Sequence, residues 1–314
     1  MEVRGPYGQD GFLSGYPQAT NGVQVKLRDD LPGGDNGPLN LDFAPGSDDS
    51  CLYCDFFDSS LDVGQTYTDL DNAFRLRVDS VAADGTATVS FEDLTPPDVV
   101  KVPTTSFASP IGTSRIPVVV GWAATDAGGV CRYHLQESVD GGAWAAVPLA
   151  AVTDTSVERS QYDGHRYRYR VRATDCAGNA SAWTPGPSQA IDVRDQDEPG
   201  VSYSGAWALQ RVTGAWRGSL RHTGVPGRSV TYRFTGRNVA FVAATGPDRG
   251  RARVYVDGAL ARTVDLHAAS PGNRRVVYQR RWTGDGAHSL KVVVAAGTPD
   301  RPRVDADAFV RLIG

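Results

Sequence analysis

The side chains able to do chemistry are few and scattered along this 314-residue chain. Its five histidines, His134, His165, His222, His267 and His288, share no helical spacing, so none pairs with another as zinc ligands would. No nucleophile elbow, phosphate-cradling glycine loop or dinucleotide fingerprint is present. A glycosidase needs only two carboxylates brought together in space, which a single sequence leaves open. A deep cleft holding two carboxylates of raised pKa would favour that chemistry. Aromatic side chains do a different job, because their flat faces stack on sugar rings. Tyr203, Trp207 and Trp216 lie outside the strongest strand patterns and form the candidate glycan-binding platform. Large aromatics are mostly buried, however, and the competing reading is that these three cover an edge or fill a core.

The four cysteines fall into two pairs, Cys51 with Cys54 and Cys131 with Cys176, and neither has a metal-binding or haem-attachment spacing in context. Cys51 and Cys54 have redox-motif spacing, but Asp48, Asp49, Asp55 and Asp58 surround them and would raise the thiol pKa values, the opposite of what a reactive thiolate needs. A structural disulfide in a tight loop is expected there, with redox or metal roles as the alternatives. The Asp-rich loops from Asp29 to Asp62 offer oxygen ligands for calcium but lack EF-hand or calcium-repeat spacing, so they read as solvated acidic loops.

The elements that must position these residues are strands. Thirty-five glycines, nineteen prolines and short β-rich runs argue against a large helical core. The expected fold class is all-β, with three consecutive sandwiches over residues 1–95, 98–195 and 199–314. Pro96-Pro97 and the run from Gln196 to Gly200 read as linkers, and residues 198–314 are expected to fold and bind alone. Charge divides the same way. Residues 1–97 carry 5 basic and 17 acidic side chains, 98–197 carry 9 and 11, and 198–314 carry 18 and 8. That asymmetry favours modules with different partners, or modules that attract each other, over one uniform surface; solvated faces of opposite sign are the plainer alternative. No apolar run approaches membrane-spanning length, and the first residues lack a signal peptide's basic start and apolar core.

Within the last third, Asp257-Gly258 separates strand-like runs Ala252–Val256 and Leu260–Leu266. A two-residue turn would set Arg253 against Arg262, so a three-residue loop is expected, with Val254, Val256, Leu260 and Val264 on one face. Asp84-Gly85 predicts a second hairpin. Arg166, Arg168, Arg170 and Arg172 alternate with Tyr and Val as one polar strand face, and nucleic-acid binding is not expected from them.

Three stretches carry resemblances. LDVGQTYTD, a following strand and TATVSF, with MEVRGPYGQDGF and NGVQVKL before them, resemble the β domain that closes secreted metallopeptidases of the immune-inhibitor-A and gametolysin types. The family's zinc-binding His-Glu-x-x-His is absent here, so the resemblance implies that zinc, the catalytic helix and a signal peptide belong upstream of Met1. WAATDAGGVCRYHLQESVDGGAW with YRYRVRATDCAGNASAW resembles a fibronectin type III or immunoglobulin-like domain. That resemblance makes Trp122 the buried anchor, sets Tyr169 and Val171 on the facing strand, and brings Cys131 beside Cys176. A bridge closing that loop is worth about 4 kcal/mol on the chain-entropy model, before strain. VTYRFTGRNVAFVAATGPDRGRARVYVDG through VDADAFVRL is similar to galactose-binding-like jelly-roll modules, which include many carbohydrate-binding modules. There an Asp of the final strand helps hold a structural calcium, and Asp307 falls near that position; the acidic first-strand partner has no clear match, Glu198 being nearest.

Together these imply a non-catalytic accessory region of a secreted, multidomain hydrolase, extracellular and monomeric. Its partner would be a carbohydrate or cell-wall polymer, anionic in view of the basic last third, and no cofactor resides in this chain. The alternatives are an adhesin or mechanical spacer that recognises protein, marked by a flat apolar patch, and a glycoside-active enzyme with an unrecognised carboxylate pair.

Overall fold

The computed structural model describes residues 2–3, 22–27, 39–40 and 60–314. Cys51, Cys54 and the aspartates from Asp29 to Asp58 lie outside them. Among the described residues there is no α-helix, only a 3-10 turn at Trp216–Gly218, and no helix is long and apolar enough to cross a membrane. The chain divides into two compact units, Met1–Pro96 with Cys176–Asn179, and Pro97–Asp175 with Ala180–Gly314.

In the smaller unit β1 (Glu2–Val3), β2 (Gly22–Gln24) and β5 (Leu61–Asp62) form an antiparallel sheet, and β3 (Lys26–Leu27) pairs with β4 (Leu39–Asn40). A meander follows: β6 (Thr66–Asp69), β7 (Phe74–Val81) and β8 (Ala87–Asp93). The turn at Asp84-Gly85 closes the expected hairpin, with Gly85 at φ 86°, a conformation open to glycine. Val23, Leu61, Leu76 and Val78 form a small core.

The larger unit opens with β9 (Asp98–Phe107), β10 (Arg115–Thr125), β11 (Val130–Val139), β12 (Ala145–Val147), β13 (Ser156–Tyr162), β14 (Arg166–Asp175), β15 (Thr184–Pro185) and β16 (Gln189–Asp195). The sheet β13-β10-β9 packs on β12-β11-β14-β16. Strict alternation in β10 sends Ile116, Val118, Val120 and Trp122 inward against Tyr169 and Val171. Trp122 meets Tyr133 edge-on with ring centroids 6.1 Å apart. Cys131 and Cys176 are both disulfide-bonded. The β11–β14 register pairs their neighbours Val130 and Asp175. The alternating arginines of β14 do form a polar face, and Trp144 and Trp183 lie across it, 4.5 and 4.7 Å from the Arg170 guanidinium carbon. Gln136 accepts a 2.7 Å bond from Arg170 Nε.

The jelly roll comprises β17 (Val201–Ser204), β18 (Ala208–Arg211), β19 (Ser219–Thr223), β20 (Ser229–Thr245), β21 (Arg251–Val256), β22 (Ala259–Asp265), β23 (Gly272–Val294), β24 (Val304–Ala306) and β25 (Ala308–Ile313). Two expected strand pairs are each one long strand, β20 and β23, irregular where Gly236 gives way to Asn238. Their halves serve different sheet regions: β23 pairs with β21 through its second half, whereas β20 pairs with β25 from Asn238 onward. Conversely, the single strand expected over Val304–Leu312 is interrupted at Asp307.

The boundary expected near residues 196–200 does not separate two sheets. β16 pairs with β25 from Ala190↔Ile313 to Asp195↔Ala308, making one sheet of β12-β11-β14-β16-β25-β20-β23-β21-β22. β25 and the Asn238–Ala244 half of β20 are therefore buried on both faces. Phe241 and Phe309 face the jelly-roll core, while Ala240, Val242, Ala308, Val310 and Leu312 face the core that holds Trp122. The hairpin also differs from expectation. Val256 pairs with Ala259 across a two-residue turn, and Asp257 (φ 49°) and Gly258 (φ 84°) supply its left-handed backbone. A bulge between Val254 and Tyr255 sets Arg253 against Thr263, so the like-charge pair is avoided without a longer loop. Val254 and Val264 are buried, but Leu260 is 57% exposed beside Tyr255.

Candidate functional site

The sheet β18-β19-β24 and the loop from Gly246 to Gly250 gather a dense polar cluster. Val304 and Ala306 turn into the jelly-roll core, so Asp305 between them points to the opposite face. It is fully buried and held from both sides: Arg249 Nε donates to Oδ2 at 2.6 Å and Arg303 Nε to Oδ1 at 2.7 Å. Two guanidiniums on one carboxylate satisfy a charge that would otherwise be very costly inside the fold. A parallel bridge between Arg249 and Arg303 brings the loop to the strand. Gly250 allows that approach, since a Cβ there would stand 2.4 Å from the Arg301 carbonyl oxygen.

Around this pair sit groups suited to hydroxyl ligands. Gln210 of β18 accepts a 2.5 Å bond from Arg303 Nη2. His222 of β19 is the register partner of Asp305. Burial and then the Arg303 charge hold the imidazole pKa below its usual value, Asp305 opposing and Arg249 adding. The ring is therefore neutral at neutral pH, with one donor and one acceptor nitrogen. Arg249 also bonds Asp248, whose carboxyl is pushed up by burial but lowered overall by that hydrogen bond and charge. A second ring extends outward: Asp265 accepts from Arg301 Nη2 at 2.5 Å and from Arg251 Nε at 3.2 Å, and His267 Nδ1 meets the Pro247 carbonyl oxygen at 3.1 Å. The arrangement offers fixed donors and acceptors on a sheet edge and no nucleophile–base pair.

The aromatic platform expected from the sequence does not form. Trp207 and Trp216 are each 6% exposed and belong to different cores, so neither presents a ring face to solvent. Tyr203 is half-buried, its ring 5.4 Å from Trp207 and its hydroxyl donating to the Gln196 carbonyl at 2.9 Å. Tryptophan carries more apolar surface than hydrogen-bonding capacity, and both indoles were drawn inward.

Asp307 lies elsewhere, fully buried at the break between β24 and β25. Its Oδ1 accepts from the Trp216 backbone N–H at 2.8 Å, while Oδ2 has no protein partner. Burial pushes its carboxyl up to about 7, the Trp216 bond opposing and the Asp195 charge adding. Calcium requires six to eight oxygen ligands. Glu198 is occupied by Arg217 Nη1 at 2.5 Å and the Asp195 backbone N–H at 3.0 Å. Among the described residues Asp307 joins no group of three converging acidic or histidine ligands. The residues present therefore fit a protonated carboxyl better than a calcium cage. Asp195 is also raised, by burial first. Neither it nor Asp307 lines the clefts of about 500, 290, 290 and 210 Å³ in the larger unit, and no Asp or Glu does.

No protein-family model matches the sequence. The chain is 25% identical over 136 residues to the A type blood N-acetyl-alpha-D-galactosamine deacetylase of Flavonifractor plautii, covering 42% of this chain and 17% of that protein. It is 28% identical over 116 residues to the A type blood alpha-D-galactosamine galactosaminidase of the same organism, covering 37% and 11%. The alignment thus spans under a fifth of either relative. Among solved structures, a family 35 carbohydrate binding module from Clostridium thermocellum matches at 13% identity and TM-score 0.29, over 39% of this chain and 98% of that module. These relatives are carbohydrate-active, and the metallopeptidase resemblance of residues 1–95 has no counterpart among them.

Sequence reasoning missed Gln210, His222, Arg249, Arg303 and Asp305. One signal was available: Asp305 in the apolar run VDADAF, which demands a cationic partner, and the arginine-rich turns on either side of the hairpin.

Proposed function

We propose that the chain is a non-catalytic, carbohydrate-binding accessory region of a secreted multidomain hydrolase that acts on glycans. The observation that carries this reading is the Asp305 carboxylate clamped by Arg249 and Arg303, with neutral His222 and Gln210 beside it on a sheet edge. Gln210, His222 and Arg303 are the members open to vicinal hydroxyls, and Asp305, buried beneath them, fixes the guanidiniums before ligand arrives. The printed names of the two relatives make a galactosamine-terminated glycan the first ligand to try. The disulfide-bonded Cys131 and Cys176 support secretion, since such bonds persist in oxidising compartments. Among the described residues the exposed large apolar ones, such as Leu70, Phe91, Leu209 and Leu260, come from separate strands and turns and form no flat apolar patch of the kind an adhesin would present.

A glycan array probed with the full chain tests the reading, followed by calorimetry on the best ligand. Gln210→Ala and His222→Ala should each weaken binding roughly tenfold, the loss expected for one or two ligand hydrogen bonds. Absence of binding to every glycan at low salt would transfer the chain to the adhesin or spacer class.

A further inference from the structure

A second cleft, remote in composition from the Asp305 cluster, has the features of a built site. It has a volume of about 500 Å³, within the range of small-molecule sites, and lies where β9 and β10 meet the Gln279–Arg281 stretch of β23. Its wall is fixed by Gln279, whose amide copies a strand partner: Phe107 N–H donates to Oε1 and Nε2 donates to the Phe107 carbonyl, both at 3.0 Å. Arg274 and Ile111 extend the same docking through a backbone bond of 2.9 Å.

The lining has three separate chemistries. Lys101 and Arg281 are exposed cations that form no ion pair with any described residue, and no acidic side chain lines the cleft; Arg280, between Gln279 and Arg281, turns its side chain to the other face of the sheet, that of Val239 and Tyr278. Lys101 Nζ lies over Gly121, 3.5 Å from where a Cβ would stand. Thr104 and Ser106 add hydroxyls. Asn238 is only 1% exposed; its Nδ2 donates to the Thr105 carbonyl at 3.5 Å, while Oδ1 accepts no hydrogen bond from the protein. A buried acceptor left without a donor is costly and rare, and in a cleft it marks where a ligand hydroxyl would bond.

The geometry points to a binding site for an acidic sugar, a hexuronate unit of an oligosaccharide, in this cleft. A neutral sugar would leave two unpaired cations unused. A bare sulfate, fully ionised, brings no hydroxyl donor to Asn238 Oδ1. A hexuronate supplies both, with its carboxylate to Lys101 and Arg281 and its hydroxyls to Asn238, Thr104 and Ser106. The site exists only because the two sandwiches share one sheet, and it stands independently of the Asp305 cluster.

Calorimetry at low salt on the full chain tests this, with digalacturonate, neutral galactobiose and inorganic sulfate as probes. Digalacturonate should bind at least tenfold more tightly than either control. Lys101→Ala combined with Arg281→Ala should weaken it tenfold or more while the melting temperature holds, because both side chains are exposed. On binding, the Asn238 side-chain amide and the Gly121 amide should shift in NMR spectra. No digalacturonate binding, equal affinity for sulfate, equal affinity in the double variant, or loss of binding on Gln210→Ala instead would each overturn the assignment.

Discussion

Asp305 and Asp307 stand two residues apart and solve the burial of a carboxylate in opposite ways. Asp305 is paired with two guanidiniums, whereas Asp307, with one backbone donor and an unpartnered Oδ2, is shifted by burial toward the neutral form, up to about 7. The consequence for stability has a definite sign. An aspartate whose folded pKa exceeds its unfolded value near 4 binds more protons when folded, so stability falls as pH rises from about 4 to about 7 and levels off above. The full loss is roughly 4 kcal/mol. Asp307→Asn should remove it: urea midpoints of variant and wild type should converge near pH 4 and separate by pH 8, with the variant more stable, and EDTA should move neither. For the ion pairs, Arg249→Ala leaves a fully buried carboxylate with only one of its two guanidinium partners, Arg303, and should cost about 3 kcal/mol. Arg251→Ala breaks a pair 62% and 41% exposed and should cost less than about 1 kcal/mol, measured in the same urea series.

The long strands shift their pairing at a glycine. β20 runs seventeen residues and β23 twenty-three, far beyond a flat strand in a small sandwich, and their register changes between Gly236 and Asn238 of β20, opposite Gly286 and Arg281 of β23. A Cβ on Gly236 would meet the Leu312 carbonyl oxygen at 2.6 Å, a backbone atom that cannot swing aside. Gly236→Ala should therefore destabilise by about 2 kcal/mol, visible as a lower thermal midpoint, whereas Gly284→Ala, with open space around it, should be near neutral. The same economy shows in the Asp257-Gly258 hairpin. There the turn stays at two residues and a bulge, one residue further on, absorbs the register that would have opposed Arg253 to Arg262. Alternation and the turn dipeptide were legible in the sequence. The bulge was not, because its energy depends on which side chains meet across the pair.

Across residues 97–314, folding and cohesion belong to one body. Ala308, Val310 and Leu312 of β25 pack into the core that holds Trp122, so residues 199–314 cut loose would expose that face to water. Residues 97–314 should thus melt in one transition whose calorimetric and van't Hoff enthalpies agree; the isolated 199–314 fragment should aggregate on sizing chromatography. Two resolved transitions would restore the boundary expected at the second linker. By itself the sequence determined the all-β class and most strand positions, because period-two patterning and turn residues are local, while the core places of Trp122, Tyr169 and Val171 followed from the resemblance to a fibronectin-like domain. The division at Pro96–Pro97 was also local, since paired prolines cannot continue a sheet. Only the tertiary structure decided that β16 and β25 join two sandwiches into one sheet, that Trp207 and Trp216 are core, and that Asp305 meets Arg249 from a loop 56 residues away. Those outcomes depend on partners remote in the chain, and a buried face or a buried charge shows its worth only when the group that covers it is in place.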